Sequence, residues 1–351
     1  MKHTQKFFWT IIVGVGILFQ SGCKDNNDNL NPTCSTRIVY LAGAEFNTMS
    51  DIAFIWESDA DTFQNTKLNL DMDSYAEAVS VFVDGDDVYA AGHEYNDGSL
   101  SIAKLWKNGV GINLSDGNVR AAAKSVFISD GDVYVAGYEE NENQSVARVW
   151  KNGVVTHEID EQENTRANAI YVSGDHIYVA GYRGSGDNRT AMLWKNGVGT
   201  DLSDGTNQAN ALSIAVSGND VYVAGYESNG SKLVAKVWKN GVGTDLSDGQ
   251  EMAKANGVFV SGNDVYVVGS ERKNGLYTFA KLWKNEVAIN LTDGTVFGSA
   301  NAVYVSKNGD VFVSGEKDYK ATLWKNGVAT TLREEANTDK KSAAYSVFVK
   351  E

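Results

Sequence analysis

The sequence predicts an all-β chain closed into a ring, and three observations lead there. Seven tryptophans, Trp56, Trp106, Trp150, Trp194, Trp238, Trp283 and Trp324, recur at separations of 50, 44, 44, 44, 45 and 41 residues. A period of that length marks one supersecondary unit that must stack on copies of itself to bury its apolar faces. Each copy breaks into short runs rich in Val, Ile, Tyr and Trp, separated by Ser-Gly-Asn-Asp and Lys-Asn-Gly, which is strand and hairpin chemistry. The chain ends are complementary. The first copy, from Arg37, lacks its opening strand, while the last residues, Ala343-Ala344-Tyr345-Ser346-Val347-Phe348-Val349, are an opening strand with nothing after it. Together they make one whole unit. The expected fold is a seven-bladed β-propeller of four-stranded antiparallel blades, closed by the C-terminal strand pairing in the first blade. An open solenoid would need polar caps at both ends, and none is visible.

In chain order, residues 1–22 come first. Lys2 and Lys6 precede a mostly apolar run from Phe7 to Phe19, and Ser21 and Gly22 precede Cys23. A basic start, a short apolar stretch and small residues before a cut are the parts of a secretory signal peptide; a spanning helix needs ~20 apolar residues. The Gly22-Cys23 pair resembles the lipobox of bacterial lipoproteins, with Gln20 where that family usually has Leu. The resemblance implies cleavage that leaves Cys23 as the lipidated first residue. Residues 23–36 are polar and without apolar periodicity, so they are expected to form a solvated tether. Lys24-Asp25 resembles the export signal of some Gram-negative lipoproteins, which implies a lipid anchor in the outer membrane and a place on the cell surface.

Residues 37–351 hold the repeat. In the cleanest copy, residues 209–249, the strands are read as a (Ala211 to Ser217), b (Val221 to Tyr226), c (Leu233 to Lys239) and d (Val242 to Leu246). Strand a keeps Ala78, Ala123, Ala167, Ala211, Ala255, Ala300 and Ala344, and is expected to line the crowded centre. Strand b keeps an aromatic, as at Tyr89 and Tyr222, and then Gly43, Gly92, Gly137, Gly181, Gly225, Gly269 and Gly315. Strand c keeps an Ala three residues before each Trp. An aromatic that packs on the next unit and small residues where backbones converge suit radial stacking.

The pattern Asp-Val-Tyr-Val-Ala-Gly-Tyr, then Ala-x-Leu-Trp-Lys-Asn-Gly, then Asp-Leu resembles the HAF-type extracellular repeats of bacterial proteins. Ala103-Lys104-Leu105 and Ala147-Arg148-Val149 stand where that family has His-Ala-Phe. The resemblance implies the propeller fold and secretion, and no chemistry. The Gly-His and Trp-Asp pairs of WD40 blades and the Asp-box of sialidase propellers are not found.

Composition narrows the partners. Without residues 1–22 the chain keeps 29 basic and 45 acidic residues, a formal charge of −16. That balance repels nucleic acid and anionic headgroups and is compatible with neutral or cationic ligands such as glycans. With Cys23 used for lipid, only Cys34 remains, so no disulfide framework and no Cys-x-x-Cys pair is expected.

The a–b and c–d turns share one face of the ring and vary little, whereas the b–c and d–a loops share the other and vary in length and chemistry. Binding is expected on the varying face, near the channel mouth. Two columns open it. After the strand-b Gly come Ala44, His93, Tyr138, Tyr182, Tyr226, Ser270 and Glu316, followed by Glu45, Glu94, Glu139, Arg183, Glu227, Glu271 and Lys317. Aromatics stack on sugar rings and carboxylates accept hydroxyl hydrogen bonds, so His93, Glu94, Tyr138, Glu139, Tyr182, Arg183, Tyr226, Glu227 and Glu271 are the candidate ligand-binding residues. The plainer account is that the tyrosines pack between blades and the glutamates are solvated rim charges. Asp116, Asp204, Asp248 and Asp293 lack calcium-loop spacing and read as turn caps. His93, His157 and His176 fall at different blade positions and form no metal pair. No catalytic residue, metal or cofactor is assigned.

The expected function is a non-enzymatic binding or scaffold module, a monomeric ring taking a glycan or protein ligand. The alternative is a carbohydrate-active enzyme, a glycosidase or polysaccharide lyase, for which His93 with Glu94 and Glu139 with Arg183 are the constellations to test. A third class is an envelope-assembly subunit, which would show an apolar patch on one face.

Overall fold

The computed structural model describes residues 37–46, 51–60, 65–70, 75–95, 100–141, 144–159, 164–273, 277–332 and 341–351. The leader, Cys23, the tether, Cys34 and the b–c loop residues 96–99 and 274–276 lie outside the described residues. Seven four-stranded antiparallel sheets form seven blades. In the fifth, strand a is Ala209–Ser217, b is Asp220–Ser228, c is Leu233–Lys239 and d is Val242–Asp245. Strands a and b run further toward the b–c loop than their apolar runs, because the ladder still pairs Ala209 with Glu227 where the side chains turn polar. Strand d stops one residue sooner, and Leu246 instead donates its N–H to the Ala235 carbonyl at 2.7 Å.

Both chain ends build the first blade. Lys341–Lys350 pairs antiparallel with Ile38–Phe46, which pairs in turn with Asp51–Asp59 and then Asn65–Asn69. Across the seam to the seventh blade, Arg37 Nη1 lies 2.7 Å from an Asp310 oxygen, and Lys325 Nζ donates to the Ala60 carbonyl at 2.9 Å. The ring is closed as the chain ends predict.

The core is a set of inter-blade layers. Between the second and third blades, Tyr89, Ala103 and Leu105 pack on Ala123, Val126 and Trp150. Each strand-c tryptophan thus packs on the preceding blade, and from Trp106 to Trp324 all are nearly inaccessible. Burial of such a ring removes 150–250 Å² from water, which is why the tryptophan period is the strongest trace of the fold.

The innermost strand carries a feature the repeat does not announce. In each blade the a–b register slips by one residue, leaving Val79, Lys124, Asn168, Leu212, Asn256, Asn301 or Tyr345 without a partner on strand b. This is a β-bulge repeated seven times. It explains the strand-b glycines: a Cβ on Gly225 would lie 2.0 Å from the Asn210 carbonyl oxygen, and one on Gly92 would lie 1.9 Å from that of Glu77. Strand a lines the centre as expected, but its fixed alanines do not face the channel. Ala123 and its equivalents are buried between blades, because side chains alternate across a strand and theirs point toward the neighbouring sheet. The channel wall is made instead by the bulged residues, the serines after them and a belt of aromatics.

Candidate binding site

The constant face is explained by structure alone. Asn240 and Gly241 have φ of 50° and 84°, the left-handed pair a tight two-residue hairpin requires. From that turn, Asn240 Nδ2 donates to Asp220 Oδ1 at 2.8 Å, and Asn240 Oδ1 accepts from the Val221 N–H at 2.8 Å. Lys239 Nζ reaches Asp220 at 2.8 Å and lies 5.2 Å from the Tyr222 ring centroid. The same clip joins the a–b and c–d turns at Asp87, Asp132 and Asp264. In the fourth blade His176 takes the place of the aspartate, its Nδ1 3.2 Å from Asn196 Nδ2. The repeated Asp-Val-Tyr and Lys-Asn-Gly motifs hold hairpins together, which leaves the opposite face as the one that differs between blades. Its d–a turns are capped as predicted: Asp204 and Asp293 accept the N–H two residues on, at 2.9 and 3.0 Å. The Thr206 hydroxyl and N–H, and the Thr295 N–H and hydroxyl, hold the Asp204 and Asp293 carboxyls below the usual range.

The rim residues are already engaged with the protein. The half-buried Tyr138 ring is covered by the Arg166 guanidinium of the next blade, 4.0 Å from its centroid. Tyr182 lies under Arg189 at 5.2 Å, and the buried Tyr226 under Lys254 at 5.1 Å. The glutamates accept from strand-c cations of their own blades: Glu139 from Arg148 at 2.9 Å, Glu227 from Lys236 at 2.6 Å, Glu94 from Lys104 and Glu271 from Lys281. Arg183, standing where other blades have Glu, pairs with both Asp201 oxygens at 3.2 and 3.1 Å. Glu139 and Arg183 are therefore not brought together. Each meets a partner in its own sheet: Glu139 meets Arg148 one diagonal step away on strand c, and Arg183 reaches across strand c to Asp201 on strand d. His93 and Glu94 likewise part company: Glu94 joins Lys104, and the buried His93 feels Lys124 of the third blade.

The ring loses its symmetry at the bulge. In the fourth, sixth and seventh blades the bulged residue is an asparagine that clamps the next blade: Asn168 donates to the Ala211 carbonyl at 2.8 Å, Asn256 to Ala300 at 2.9 Å and Asn301 to Ala344 at 3.0 Å. In the third it is Lys124, which makes no hydrogen bond or ion pair among the described residues. Burial pushes the Lys124 ammonium below its usual pKa, with Glu77 pulling the other way. Glu77 is itself raised by burial and opposed by Lys124. His93 is lowered to about 4 by burial and then by the Lys124 charge, so it is neutral at physiological pH, and its Nδ1 is buried without a partner. Burial raises Glu316 to about 7 and also raises Tyr345, whose hydroxyl further feels Glu77, Glu316 and Asp51.

Lys124 and Tyr345 line a polar cavity of about 150 Å³ in the channel, with Ser80, Asn168 and Asn301 in the same wall. A second cavity of about 370 Å³ shares Val258 and Val303 with it and is apolar, walled by Phe82, Phe127, Tyr171, Phe259, Tyr304 and Phe348. Those rings form a belt with centroids 4.6 to 5.5 Å apart, interrupted where the fifth blade has Ala215. Sequence reasoning missed both tiers. The aromatic column was there to be found, four residues after the fixed alanine; the Lys124 column is asparagine in three copies and a different residue in each of the other four. Among the described residues no group of three or more His, Cys, Asp or Glu side chains is placed to hold a metal ion, and no helix is long and apolar enough to cross a membrane.

Blades, seam and channel together define a closed seven-bladed β-propeller with an asymmetric channel mouth. No protein-family model matches the chain, and no curated protein does. Solved structures share the fold. The β-propeller domain of the Trilobed protease from Pyrococcus furiosus is similar with a TM-score of 0.56 at 10% identity, over 85% of this chain and 93% of that one. The acylaminoacyl peptidase of Pyrococcus horikoshii is similar at 0.53 and 11% identity over 85% of this chain, which spans about half, 51%, of that protein. A putative 6-phosphogluconolactonase from Bacteroides uniformis is similar at 0.50 and 13% identity, over 90% and 99% of the two chains. At these identities the likeness is one of fold.

Proposed function

We propose that this chain is a secreted lipoprotein of the HAF-repeat kind, cleaved before Cys23, anchored through that residue in the outer membrane and displayed on the cell surface by residues 23–36. Residues 37–351 act there as a monomeric, non-enzymatic binding ring. Its ligand, a glycan or a protein, sits on the face of the b–c and d–a loops. One observation carries this reading: the a–b/c–d face is stitched by the same Asp–Asn clip in blade after blade, while the other face carries a different set of side chains in each. A constant scaffold with one varying face is the arrangement of a recognition module. The engagement of Glu139 by Arg148 and of Arg183 by Asp201 leaves the enzymatic alternative without the acid–base pair it needs across blades.

The glycan reading is tested first, because Tyr138 and Tyr182 stay half-exposed at the rim. The full-length chain, held in detergent, is applied to a glycan array beside a Tyr138→Ala/Tyr182→Ala variant. A saccharide signal that falls roughly tenfold or more in the variant supports a sugar platform. Silence across the array overturns the glycan reading and leaves a protein ligand.

A further inference from the structure

We propose that the channel binds a monocarboxylate with an apolar, aryl-bearing tail: the carboxylate lies in the polar tier, on Lys124 and the hydroxyls of the serines that follow the bulge, and the tail fills the aromatic well. The site lies inside the channel and is independent of what the rim takes.

The seams between blades leave hydrogen-bond donors in the channel wall. At four seams the serine after the bulge accepts a backbone N–H of the next blade: Ser346 from Val81 at 3.2 Å, Ser80 from Val126 at 3.1 Å, Ser125 from Ile170 at 3.3 Å and Ser213 from Val258 at 3.1 Å. Accepting an N–H occupies a lone pair and leaves the hydroxyl proton, and none of these four protons meets an acceptor among the described residues. All four serines line the polar cavity. At the other three seams Asn168, Asn256 and Asn301 donate to the next blade, and Asn301 Oδ1 accepts from the Ser299 hydroxyl, so only the Asn168 and Asn256 amide oxygens stand as open side-chain acceptors. Donors are therefore in excess. Lys124 is the one formally charged side chain in the wall of either cavity, and it makes no hydrogen bond or ion pair among the described residues. Glu77, Glu316 and Asp51 belong to neither wall. A wall with one positive charge and spare donors complements a single negative charge; a phosphate dianion would bring a second charge with no cation to meet it. The apolar tier decides the rest of the ligand. It adjoins the polar tier at Val258 and Val303, has a volume of about 370 Å³, contains no charged side chain and is walled by the aromatic belt with its gap at Ala215. Such walls receive an aryl group edge to face or offset, and a short tail lets one molecule fill both tiers.

The test is isothermal titration calorimetry on the full-length chain in detergent with 4-phenylbutanoate, the heat of titrating detergent alone being subtracted. Beside it are set 4-phenylbutan-1-ol and 4-phenylbutylamine, which lack the negative charge, and acetate, which lacks the tail. Saturable binding of 4-phenylbutanoate is expected, with each of the others weaker by about tenfold or more. Lys124→Met should weaken 4-phenylbutanoate by a similar factor and leave the alcohol unchanged, while Lys124→Arg keeps most of the binding. Ala215→Phe, which closes the gap in the belt, should weaken 4-phenylbutanoate by about tenfold or more by filling the well. Each variant is first matched to the parent in thermal unfolding, and the comparison of probes on the parent chain stands even where a variant misfolds. The proposal is overturned if 4-phenylbutanoate does not bind saturably, if the alcohol binds as tightly, or if a folded Lys124→Met or Ala215→Phe chain binds it unchanged. Since the rim is probed with saccharides and the channel with carboxylates, either reading can fail without the other.

Discussion

Glu316 occupies the column that holds tyrosine in the third, fourth and fifth blades, and burial alone raises its carboxyl from 4.5 to about 7. The folded value lies above the unfolded one, so between about pH 4.5 and 7 the unfolded chain loses a proton that the native chain keeps. Stability from this residue is full below that window, falls as pH rises through it and is flat above it. Glu316→Gln should therefore raise stability at pH 8 by about 2 kcal/mol and leave it unchanged at pH 4. Thermal unfolding at the two pH values checks this; a variant that melts lower at pH 8 would show that the carboxylate is stabilised as an anion. The sequence showed an acid in an aromatic column. It could not show that the acid is buried, because burial of a rim residue is set by the strands that pack around it in the folded ring.

At the scale of the element, the hairpin tips were the most legible part of the chain. Lys-Asn-Gly demands a left-handed turn, and Asn240 supplies both the turn and two hydrogen bonds to the neighbouring hairpin. Asn240→Ala removes both bonds and places a Cβ-bearing residue of poor left-handed propensity at φ 50°, a loss of about 2 kcal/mol. Denaturant unfolding should register that loss, and amide exchange should quicken at Val221 and Gly241 while the sixth blade stays protected. Uniform quickening around the ring would mean the clip serves the whole ring, not its own blade. The bulge was not legible. A one-residue slip that recurs in every copy leaves the repeat length unchanged, and its trace is a glycine column whose need appears only when strands a and b are paired. For the same reason the glutamates, read as an open rim, are paired: Lys104 and Arg148 lie ten and nine residues from Glu94 and Glu139 and meet them only across a strand pair.

At the scale of the molecule, closure rests on the C-terminal strand. Lys341–Lys350 supplies the inner strand of the first blade, buries Ala344, Val347 and Val349, and gives the Ser346 hydroxyl that accepts the Val81 N–H at 3.2 Å in the second. A chain ending at residue 340 should melt at least about 10 °C lower and bind a dye specific for apolar surface, because an open ring exposes the edge at Ile38–Phe46. Unchanged melting would place the source of ring stability elsewhere. Periodicity, turn chemistry and the two incomplete ends determined the number of blades, their strands and the closure, because each is a local or counting property of the chain. Tertiary structure decided what faces the channel. That depends on a register slip and on blades more than 200 residues apart in sequence meeting around one axis, as Val81 and Ser346 do, and neither constraint is written in any single copy of the repeat.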